Sequence, residues 1–393
     1  MELQMQRDLA RRTLELLDNK TTAMAPHVME EPVEGYSSPS QLDLERRLIF
    51  NRYPMFVGLS SDLPDPGSWL TFDGTGTPIL VTRDEQGRVR ALLNMCQHRG
   101  VRVVDGGCGD GARRFTCPFH GWVYDIEGHL VGIPGAEGFD EVRREDRGLI
   151  ELPAEERYGM IFAAANPECA FSLEEYLSGL APQLESFDLG GWKSIATPHA
   201  HRIRANWKVV WGTHCETYHF AVLHKDSAGP IVYGNTSLAD FYGDHALMTT
   251  TNRTIDTLRD TPEDQWRPID DGQVNLNYRL FPNLSFSIVF GNRLEIFTIY
   301  PGENVHETVA LHYAYHKNPP TAEDEKKALE EQVFFACQSV VDGEDYAVAA
   351  RTEPGLHSPS APKTLVFGRN EPVMQRMALA IRRTIGTDTG AHA

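Results

Sequence analysis

The sequence has little that would suit a membrane or a nucleic acid. No window of its 393 residues reaches the ~18 uninterrupted apolar residues of a membrane-spanning helix. The N-terminus carries Arg7, Asp8, Arg11 and Arg12 in place of an apolar run, so no signal peptide is expected. Lys and Arg number 37 against 55 Asp and Glu, which gives a net charge of −18. Because an acidic surface repels polyanions, we expect neither a nucleic-acid nor a membrane partner.

Cysteines and nucleotide-binding fingerprints are also scarce. The 6 cysteines show no paired framework, so a disulfide scaffold is not expected and the reducing cytoplasm is the predicted location. The sequence contains neither Gly-x-Gly-x-x-Gly at a strand-to-helix turn nor Gly-x-x-x-x-Gly-Lys-Ser/Thr. We therefore expect no nicotinamide or flavin bound by those routes.

Two short clusters of metal-binding residues lie between positions 96 and 120. Cys96 and His98 form a Cys-x-His pair, and Cys117 and His120 form a Cys-x-x-His pair. The intervening segment is long enough for a β-hairpin that brings both pairs to one point. Two thiolates and two imidazoles suit either a tetrahedral zinc ion or a [2Fe-2S] cluster.

The mixed composition of each pair favours the iron–sulfur cluster. Zinc fingers usually pair Cys with Cys and His with His. In a Rieske centre two Cys bind one iron and two His bind the other, so mixed pairs are natural. Cys108 lies in a glycine-rich segment between the pairs and is interpreted as part of a hairpin tip. A zinc knuckle, or two unrelated Cys/His pairs, is the alternative.

Turn signals and apolar runs outline the rest of the chain. Short runs around the two pairs predict a small antiparallel β domain that closes near residues 158–165. Residues 3–18 are predicted to form a surface helix, and residues 276–300 alternate as strands whose side chains mainly form a core. Residues 374–385 are predicted to form a closing helix, followed by a disordered tail over 386–393.

A second group of candidate ligands lies between residues 206 and 224. Glu216 and His219 would share one face of a helix. His219 and His224 are five residues apart, about 140° around a regular helix, so both can point inward only if the helix distorts or ends between them. Two His and one carboxylate form the facial triad of non-heme Fe(II) oxygenases. Ordinary core or surface histidines are the alternative.

The carboxylate of such a triad would come from far away in the sequence. Asp345, in a long helical stretch that starts near residue 321, is the best candidate. Taken alone, a residue of this kind is more often a solvated acid on an acidic helix.

Together these motifs resemble one family, the catalytic alpha subunits of Rieske non-heme iron oxygenases, also called ring-hydroxylating oxygenases. The resemblance rests on the two Cys/His pairs, on Asn206-Trp207-Lys208, and on Glu216-x-Tyr218-His219-x4-His224. It covers roughly residues 45 to 385. Many members have Glu-Asn where this chain has Gly212-Thr213, which signals an altered pocket.

The resemblance implies an α+β fold, with a small antiparallel β Rieske domain followed by a helix-grip (START-like) catalytic domain. The expected divisions are an N-terminal helical segment over residues 1–45, a Rieske domain over 46–165 and a catalytic domain over 166–393. It implies that the [2Fe-2S] cluster is held by Cys96, His98, Cys117 and His120, and the mononuclear Fe(II) by His219, His224 and Asp345. Glu216 stands where the family has an acid that couples a Rieske histidine of one subunit to an iron-ligand histidine of the next.

The implied activity is that of a terminal oxygenase. Electrons would come from a ferredoxin or an NAD(P)H-dependent reductase, and O2 would hydroxylate, or dihydroxylate, an aromatic or other apolar ring substrate. Monohydroxylation or oxidative demethylation within the same family is the alternative, and a zinc-containing ligand-binding protein is the alternative outside it. The chain length favours a homotrimer, with a beta subunit possible.

Overall fold

The first residues of the chain group with its second half rather than with the residues that follow them. In the computed structural model, which describes residues 1–387, one compact unit combines residues 1–49 with residue 193 onward, and the other is Phe50–Trp192. The expected divisions at 45/46 and 165/166 lie close to the first junction and upstream of the second. Of the predicted disordered tail, residues 388–393 lie outside the described residues.

The N-terminal segment is mostly helical and begins with the predicted helix over residues 3–18. Its regular elements are α1 (Leu3–Asp18), β1 (Met29–Pro32), α2 (Glu34–Ser37) and α3 (Pro39–Glu45), followed by a π-helical turn over Arg46–Phe50. Helix α3 begins at Ser38, whose hydroxyl accepts a hydrogen bond from the backbone N–H of Gln41. Strand β1 pairs antiparallel with a strand near the C-terminus, with Met29 opposite Phe367.

The second unit, Phe50–Trp192, is built from short antiparallel strands, as the sequence predicts for the region around the Cys/His pairs. They form one five-stranded and two three-stranded sheets. The strands are β2 (Met55–Leu59), β3 (Trp69–Phe72), β4 (Ile79–Arg83), β5 (Val89–Leu93), β6 (Cys108–Gly109), β7 (Arg114–Thr116), β8 (Val123–Asp125), β9 (Leu130–Gly132), β10 (Glu151–Leu152), β11 (Ala154–Arg157) and β12 (Met160–Ala163). Two helices close the unit, α4 (Leu173–Tyr176) and α5 (Ala181–Phe187).

The remainder of the first unit is a nine-stranded antiparallel sheet with long helices. Its strands are β13 (Lys193–Ser194), β14 (His199–Ile203), β15 (Val232–Tyr233), β16 (Ala239–Tyr242), β17 (His245–Asn252), β18 (Val274–Leu280), β19 (Leu284–Val289), β20 (Arg293–Pro301) and β21 (Thr308–His316). Its helices are α6 (Trp207–Thr213), α7 (Glu323–Phe335), α8 (Ala347–Leu356) and, after the small strand β22 (Thr364–Phe367), α9 (Pro372–Ile385). The predicted α+β class, with a helix-grip domain after a small β domain, is confirmed.

The predicted strands over residues 276–300 are confirmed, and the sheet they form is buried on both faces. The alternating apolar side chains, such as Leu276, Tyr278 and Phe286, are fully buried and form the core face. The intervening face carries buried polar side chains, including Asn277, Arg279 and others that follow the same alternation. Since polar groups are seldom buried without a partner, these side chains have their own contacts: Asn277 donates to the Thr250 hydroxyl at 3.3 Å, and Arg279 donates to the backbone C=O of His214.

A π-helical segment, Ala336–Tyr346, joins α7 to α8. In a π-helix the backbone bonds run from residue i to i+5, which changes the direction in which successive side chains point. Asp345 lies in the last turn of this segment. No helix among residues 1–387 is both long enough and apolar enough to cross a membrane.

The Asn206-Trp207-Lys208 sequence starts helix α6 and ties it to the N-terminal segment. The Asn206 side chain caps the helix by accepting from the Lys208 backbone N–H at 3.0 Å. The Trp207 indole N–H donates to Glu45 Oε2 at 2.7 Å, and the Lys208 ammonium forms an ion pair with the other oxygen of Glu45. Lys208 also donates to the carbonyl of Gly35 at 2.6 Å. The ion pair is almost fully buried, so each charge depends on the other.

We predict that Glu45→Ala lowers the free energy of unfolding by about 3–5 kcal/mol, because it leaves the Lys208 charge buried without a partner. Asp43→Ala, on the same helix but exposed, should change it by less than about 0.5 kcal/mol. Chemical denaturation followed by circular dichroism measures both. The double variant Glu45→Leu with Lys208→Met should recover much of the loss, since the uncompensated charge is then gone. Equal effects of the two alanine variants would contradict this account.

Two candidate metal centres

The first candidate centre is held by two loops with the same backbone pattern. In one loop, Gly100 N–H donates to Cys96 C=O at 2.8 Å and Cys96 N–H donates to Val101 C=O at 2.8 Å. In the other, Gly121 N–H donates to Cys117 C=O at 3.0 Å, and Cys117 N–H donates to the residue five positions later. Both glycines have φ near +70°, which other residues rarely adopt. The sequence Cys-x-His or Cys-x-x-His followed by glycine therefore encodes two matching turns.

The donors of these loops separate into a cysteine pair and a histidine pair. The Cys96 and Cys117 thiols are in hydrogen-bond contact, and the rings of His98 and His120 are 4.6 Å apart. Among the described residues there are three groups of side chains in which all ligand atoms lie within 4.8 Å of one another. No three of the four Cys and His side chains of this centre form such a group. A single tetrahedral ion needs donors closer together than that. Two sulfurs on one side and two imidazoles on the other match a two-iron cluster with one thiolate-ligated and one imidazole-ligated iron.

The surroundings of the sulfurs also suit a cluster. Cys96 and Cys117 are buried, and the backbone N–H groups of Phe119 and His120 are directed at the Cys117 sulfur. The Tyr124 hydroxyl accepts from the Gln97 N–H at 3.0 Å, so its own proton is directed at Cys96 Sγ, 3.2 Å away. Burial, followed by the contact with Cys96, raises the pKa of Tyr124, which keeps the phenol protonated as a donor.

The histidine side of the centre lies nearer the surface. The His98 ring stacks on Trp122 at 4.9 Å with the planes 7° apart, while its buried Nδ1 has no hydrogen-bond partner. His120 is exposed, and the neighbouring Phe119 is 54% exposed. An imidazole nitrogen that is buried without a partner is unusual, and coordination would satisfy it.

The second candidate centre brings together His219, His224 and Asp345. Asp345 Oδ1 lies 3.3 Å from Nε2 of His219 and 3.3 Å from Nε2 of His224. His219 Nε2 and Asp345 Oδ1 are both buried and form no hydrogen bond with proper geometry. Three converging donors of this kind, two imidazoles and one carboxylate, are the set that non-heme Fe(II) uses. The arrangement therefore fits an iron that keeps open coordination positions.

Each histidine of the second centre is held on its other nitrogen by a carboxylate. Glu216 Oε1 accepts from His219 Nδ1, and Glu344 Oε2 accepts from His224 Nδ1 at 2.7 Å. Ser227 donates to the same Glu344 oxygen at 2.6 Å. Such bonds fix the tautomer, so that Nε2 presents its lone pair to the metal, and they raise the basicity of the ring.

The charges of this centre shift the pKa values of its members. Burial lowers the pKa of His219, but the nearby carboxylates of Asp345 and Glu216 outweigh burial and raise it to about 9. His224 shows the same competition and its pKa is raised, again through Asp345 and Glu344. Burial raises the pKa of Asp345, yet its two histidines outweigh burial and the pKa is lowered. The carboxylate is thus held ionised, the form that binds metal.

The backbone between the two histidines is not a regular helix. Helix α6 ends at Thr213, a 3₁₀ turn covers Tyr218–Ala221, and His224 follows it. The expected interruption between His219 and His224 is present. Helix α6 ends before Glu216, however, so the prediction that Glu216 and His219 share one face of a helix is wrong. Glu216 accepts from the backbone N–H groups of Tyr218 and His219, which stabilises the start of the 3₁₀ turn.

A half-buried polar group borders the centre. His214 is partly shielded from solvent, and desolvation, with a contribution from Arg279, lowers its pKa to about 3. Its Nε2 lies 3.1 Å from the Tyr346 hydroxyl, and its backbone C=O accepts from Arg279. Gly212, one of the two positions that depart from the family pattern, packs against Met374: a Cβ there would lie 3.1 Å from Cε. A larger residue at 212 would require Met374 to move.

The groups behind the ligands are not predicted by the sequence. Glu344 is visible there only as the neighbour of Asp345, although the two side chains contact opposite nitrogens of His224. The adjacent acids Glu344 and Asp345 are visible in the sequence. That both reach His224 depends on the π-helical turn, which the sequence does not predict. The sequence predicts Tyr124 only as a strand residue, and its position two residues after Trp122 does not indicate a contact with the sulfur of Cys96. His214 reads as an ordinary histidine, and the structure gives it no place among the candidate ligands.

With this geometry in place, comparison with known proteins identifies the chain. The fold and donor sets define a protein with a two-iron cluster domain and a separate mononuclear iron domain. Residues 189–387 match the family described as the ring hydroxylating alpha subunit (catalytic domain), and residues 53–143 match the Rieske [2Fe-2S] domain. The chain belongs to the ring-hydroxylating alpha subunit family, and its cofactors are a Rieske cluster and a mononuclear iron.

Named relatives cover different chemistries. The chain is 32% identical over 215 residues to the biphenyl 2,3-dioxygenase subunit alpha of Rhodococcus jostii, spanning 52% of this chain and 44% of that one. It is 28% identical over 206 residues to the glycine betaine monooxygenase oxygenase subunit of Chromohalobacter salexigens, spanning 52% and 45%. The matches thus span less than half the length of these curated relatives.

Solved structures share the fold over nearly the whole chain. The quaternary ammonium Rieske monooxygenase CntA, in complex with L-carnitine, has a TM-score of 0.76 at 20% identity, covering 96% of this chain and 98% of that one. Naphthalene 1,2-dioxygenase from Rhodococcus sp., bound to indole, has a TM-score of 0.70 at 20% identity, covering 97% and 98%. At this level of identity the likeness establishes the fold.

We predict that Asp345→Ala loses the mononuclear iron while the visible spectrum of the Rieske cluster is unchanged, since the two ligand sets share no residue. Iron and sulfide analysis with absorption spectroscopy measures this. Glu344→Gln is the matched neighbour: it should retain iron but weaken its binding by about 10–100-fold, because it only supports His224. Iron retained in full by the Asp345 variant would remove that residue from the ligand set.

We predict that Tyr124→Phe lowers the reduction potential of the cluster, because a hydrogen bond to sulfur favours the more negative, reduced state. A bond worth about 1 kcal/mol corresponds to roughly 40 mV for a one-electron couple. Redox titration followed by absorption measures the shift. Tyr158→Phe, which removes a phenol that contacts Arg157 instead, is the control. A potential unchanged in the Tyr124 variant would contradict the assignment of its proton to Cys96.

Proposed function

We propose that the chain is the terminal oxygenase component of a Rieske non-heme iron oxygenase system. The observation that carries this proposal is the convergence of His219, His224 and Asp345 within one chain that also holds a cluster site of two cysteines and two histidines. A simple electron carrier needs only the cluster site. A structural zinc site is normally closed by four protein ligands, whereas three converging donors leave coordination positions open.

We assign the ligands residue by residue from the geometry. The cluster ligands are Cys96, His98, Cys117 and His120, and the mononuclear iron ligands are His219, His224 and Asp345. When bound, the cluster supplies one-electron transfer and the mononuclear Fe(II) supplies activation of O2. The chain's own residues provide position and charge for both: they fix the tautomers of the histidines and the orientation of the carboxylate.

The contact of Glu216 with His219, together with the family resemblance, supports a coupling role for Glu216. Glu344 also accepts from Ser227, so it is held on both sides. Glu216 accepts from His219 and from two backbone N–H groups, and it stands in the loop that leads from α6 to the 3₁₀ turn. Glu216 is therefore proposed to relay between His219 of one subunit and a Rieske histidine of the next in a homotrimer, as the family resemblance implies.

The partners follow from what the chain lacks. The sequence holds no nucleotide-binding fingerprint, so electrons reach the cluster from a ferredoxin, an NAD(P)H-dependent reductase, or both in series. Phe119, exposed beside the exposed ligand His120, marks the side of the centre from which a redox partner or neighbouring subunit approaches. A cytoplasmic location is part of the same proposal.

An aromatic or other apolar ring is the proposed substrate, with hydroxylation or dihydroxylation as the reaction. Two relatives at 32% identity, the biphenyl dioxygenase subunit and the naphthalene 1,2-dioxygenase large component of Ralstonia sp., act in their names on such rings. Phe220 and Phe297 supply aromatic surface near the histidines: Phe220 contacts His219 and His224, and Phe297 contacts His214.

A second candidate is monooxygenation or oxidative demethylation of a quaternary ammonium compound. A cavity of about 480 Å³ in the helix-grip unit is lined in part by Glu330, Glu331 and Phe334, which would attract a cation through charge and an aromatic face. Relatives named glycine betaine and carnitine monooxygenase oxygenase subunits match at 28% identity.

The function is tested by supplying the purified holoenzyme with a surrogate ferredoxin and reductase and measuring O2 uptake coupled to product. The screen contains aromatic hydrocarbons and quaternary ammonium compounds, and mass spectrometry with ¹⁸O2 counts the labelled atoms in each product. Two labelled atoms on one ring indicate dihydroxylation, and one labelled atom retained in the product indicates monohydroxylation. An unlabelled product that has lost a methyl group, with release of formaldehyde, indicates demethylation, because the inserted oxygen leaves with the formaldehyde. Iron-loaded enzyme that reduces no O2 with either class would contradict an oxygenase.

We predict that Glu216→Gln retains both metals but slows electron transfer between them sharply, because an amide accepts the His219 proton less strongly and carries no charge. Single-turnover oxidation of the reduced cluster, followed by stopped-flow absorption, measures the rate. Glu15→Gln, which removes an exposed carboxylate on helix α1 outside both ligand sets, is the control. A single-turnover rate unchanged by the Glu216 substitution would remove the relay role.

A further inference from the structure

A group of histidines around one buried cysteine belongs to neither centre described above. Cys337 Sγ lies 3.2 Å from Nε2 of His201 and 3.2 Å from Nδ1 of His312. The ligand atoms of His199, His201 and Cys337 all lie within 4.8 Å of one another. We call these four residues, His199, His201, His312 and Cys337, the Cys337 cluster. They come from strands β14 and β21 and from the π-helical segment.

The two inner histidines of the cluster are each held from behind by a carboxylate. Asp342 Oδ1 lies 2.5 Å from Nδ1 of His201, and Glu295 accepts from Nε2 of His312. In each ring, therefore, the nitrogen that is not bonded to the carboxylate faces Cys337. A carboxylate behind a histidine, with the other nitrogen turned to a shared point, is the arrangement that metal-binding histidines almost always show.

The cluster can be reached from outside. His199, His312 and Cys337 line the cavity of about 480 Å³, and His199 is exposed, whereas His201 is 3% and Cys337 5% exposed. A small hydrated ion could enter by the cavity and lose its water among the buried donors. Glu330 and Glu331 outnumber Lys327 in the cavity wall, and this balance of charge favours a cation over an anion.

We propose that the Cys337 cluster is a second metal site of the helix-grip unit and that it binds Zn²⁺. One thiolate with two or three imidazoles is a donor set of intermediate softness, which suits Zn²⁺ better than Mg²⁺ or Ca²⁺. Zinc bound at Zn–N of about 2.0–2.1 Å and Zn–S of about 2.3 Å requires N and S donors about 3.5 Å apart. The observed separations of 3.2 Å need a change of only about 0.3 Å.

Burial, with contributions from Asp342 and Glu295, raises the pKa of the Cys337 thiol to about 12. Without an ion the sulfur is therefore a neutral thiol hydrogen-bonded between two imidazoles. Zinc has to displace that proton, which weakens the apparent affinity at neutral pH.

Zinc in this position would link three elements. Strands β14 and β21 already pair, and the ion would fasten both to the π-helical segment that carries Asp345 eight residues later. Because zinc would bind the folded state and not the unfolded chain as a set, it would raise the melting temperature in a concentration-dependent way.

The test uses full-length holoenzyme with both iron centres loaded, titrated with Zn²⁺ alone. Zinc K-edge X-ray absorption should show one sulfur at about 2.3 Å and two to three nitrogens at about 2.0–2.1 Å. The visible absorption spectrum of the Rieske cluster must stay unchanged, which excludes zinc bound at Cys96 and Cys117. The mononuclear iron centre and the His306, Glu353 and His357 group contain no sulfur, so zinc there would give no sulfur signal.

Three variants sharpen the result. Cys337→Ser should abolish the zinc–sulfur signal and the zinc-dependent rise in melting temperature. His199→Ala, at an exposed position with little risk to folding, should weaken zinc binding at least tenfold. Asp342→Asn should weaken it by about 10–100-fold through His201. Cys108→Ser, the control, removes an exposed cysteine outside the cluster and should change nothing.

A zinc–sulfur signal that persists in Cys337→Ser, or zinc bound through nitrogen and oxygen alone in the unmodified enzyme, would overturn the proposal. No binding of Zn²⁺ to the unmodified enzyme would overturn it as well. Since the measurement reads coordination rather than oxygenation, its failure is separate from a failure of the proposed function.

Discussion

Each imidazole of the proposed mononuclear centre is held from behind by a carboxylate, and this constraint decides which nitrogen would face the metal. Glu216 holds His219 and Glu344 holds His224, both through Nδ1. The two Nε2 atoms are then left to converge on Asp345. Without those two contacts the rings could rotate or change tautomer, and three donors on flexible side chains would no longer share one point.

The backbone around the centre follows from this requirement. A regular helix cannot point two residues five positions apart in one direction, and the chain ends α6 before the first histidine and turns through a 3₁₀ segment. On the opposite side, a π-helical segment lets the adjacent Glu344 and Asp345 reach opposite nitrogens of the same ring. Irregular backbone is tolerated here because α6 is anchored elsewhere, through Lys208 and Trp207 on the buried Glu45.

Prediction from the sequence is strongest where the chemistry is local. Cys-x-His and Cys-x-x-His lie within single turns, so their spacing predicts a metal site, and the mixed composition of each pair favours a cluster over zinc. The carboxylate Asp345 lies more than a hundred residues from His219, and only resemblance to a family points to it. The strand alternation over residues 276–300 predicts the core face correctly because a period of two is a property of the backbone.

Other features could not be read from the sequence, for physical reasons that differ. The contact between Tyr124 and Cys96 depends on which face of a short strand meets a loop, and alternation does not specify that partner. The Cys337 cluster combines residues from two strands and one helix, none of which lies in a recognisable spacing. A glutamate such as Glu45 is expected to be exposed because it is charged. It is buried here because it forms an ion pair with Lys208, which lies far along the chain.

The central claim is that one chain holds a two-iron cluster with unlike ends and a separate single iron. Mössbauer spectroscopy of the ⁵⁷Fe-enriched chain, with its cluster oxidised and its single iron ferrous, tests it most directly. The account predicts two cluster signals of equal area, one from a sulfur-ligated and one from a nitrogen-ligated ferric iron, and a third, equal signal from high-spin ferrous iron. It also predicts that only the third signal is lost when Asp345 is replaced. A single type of iron, or a colourless chain with zinc between the cysteine and histidine loops, would contradict it.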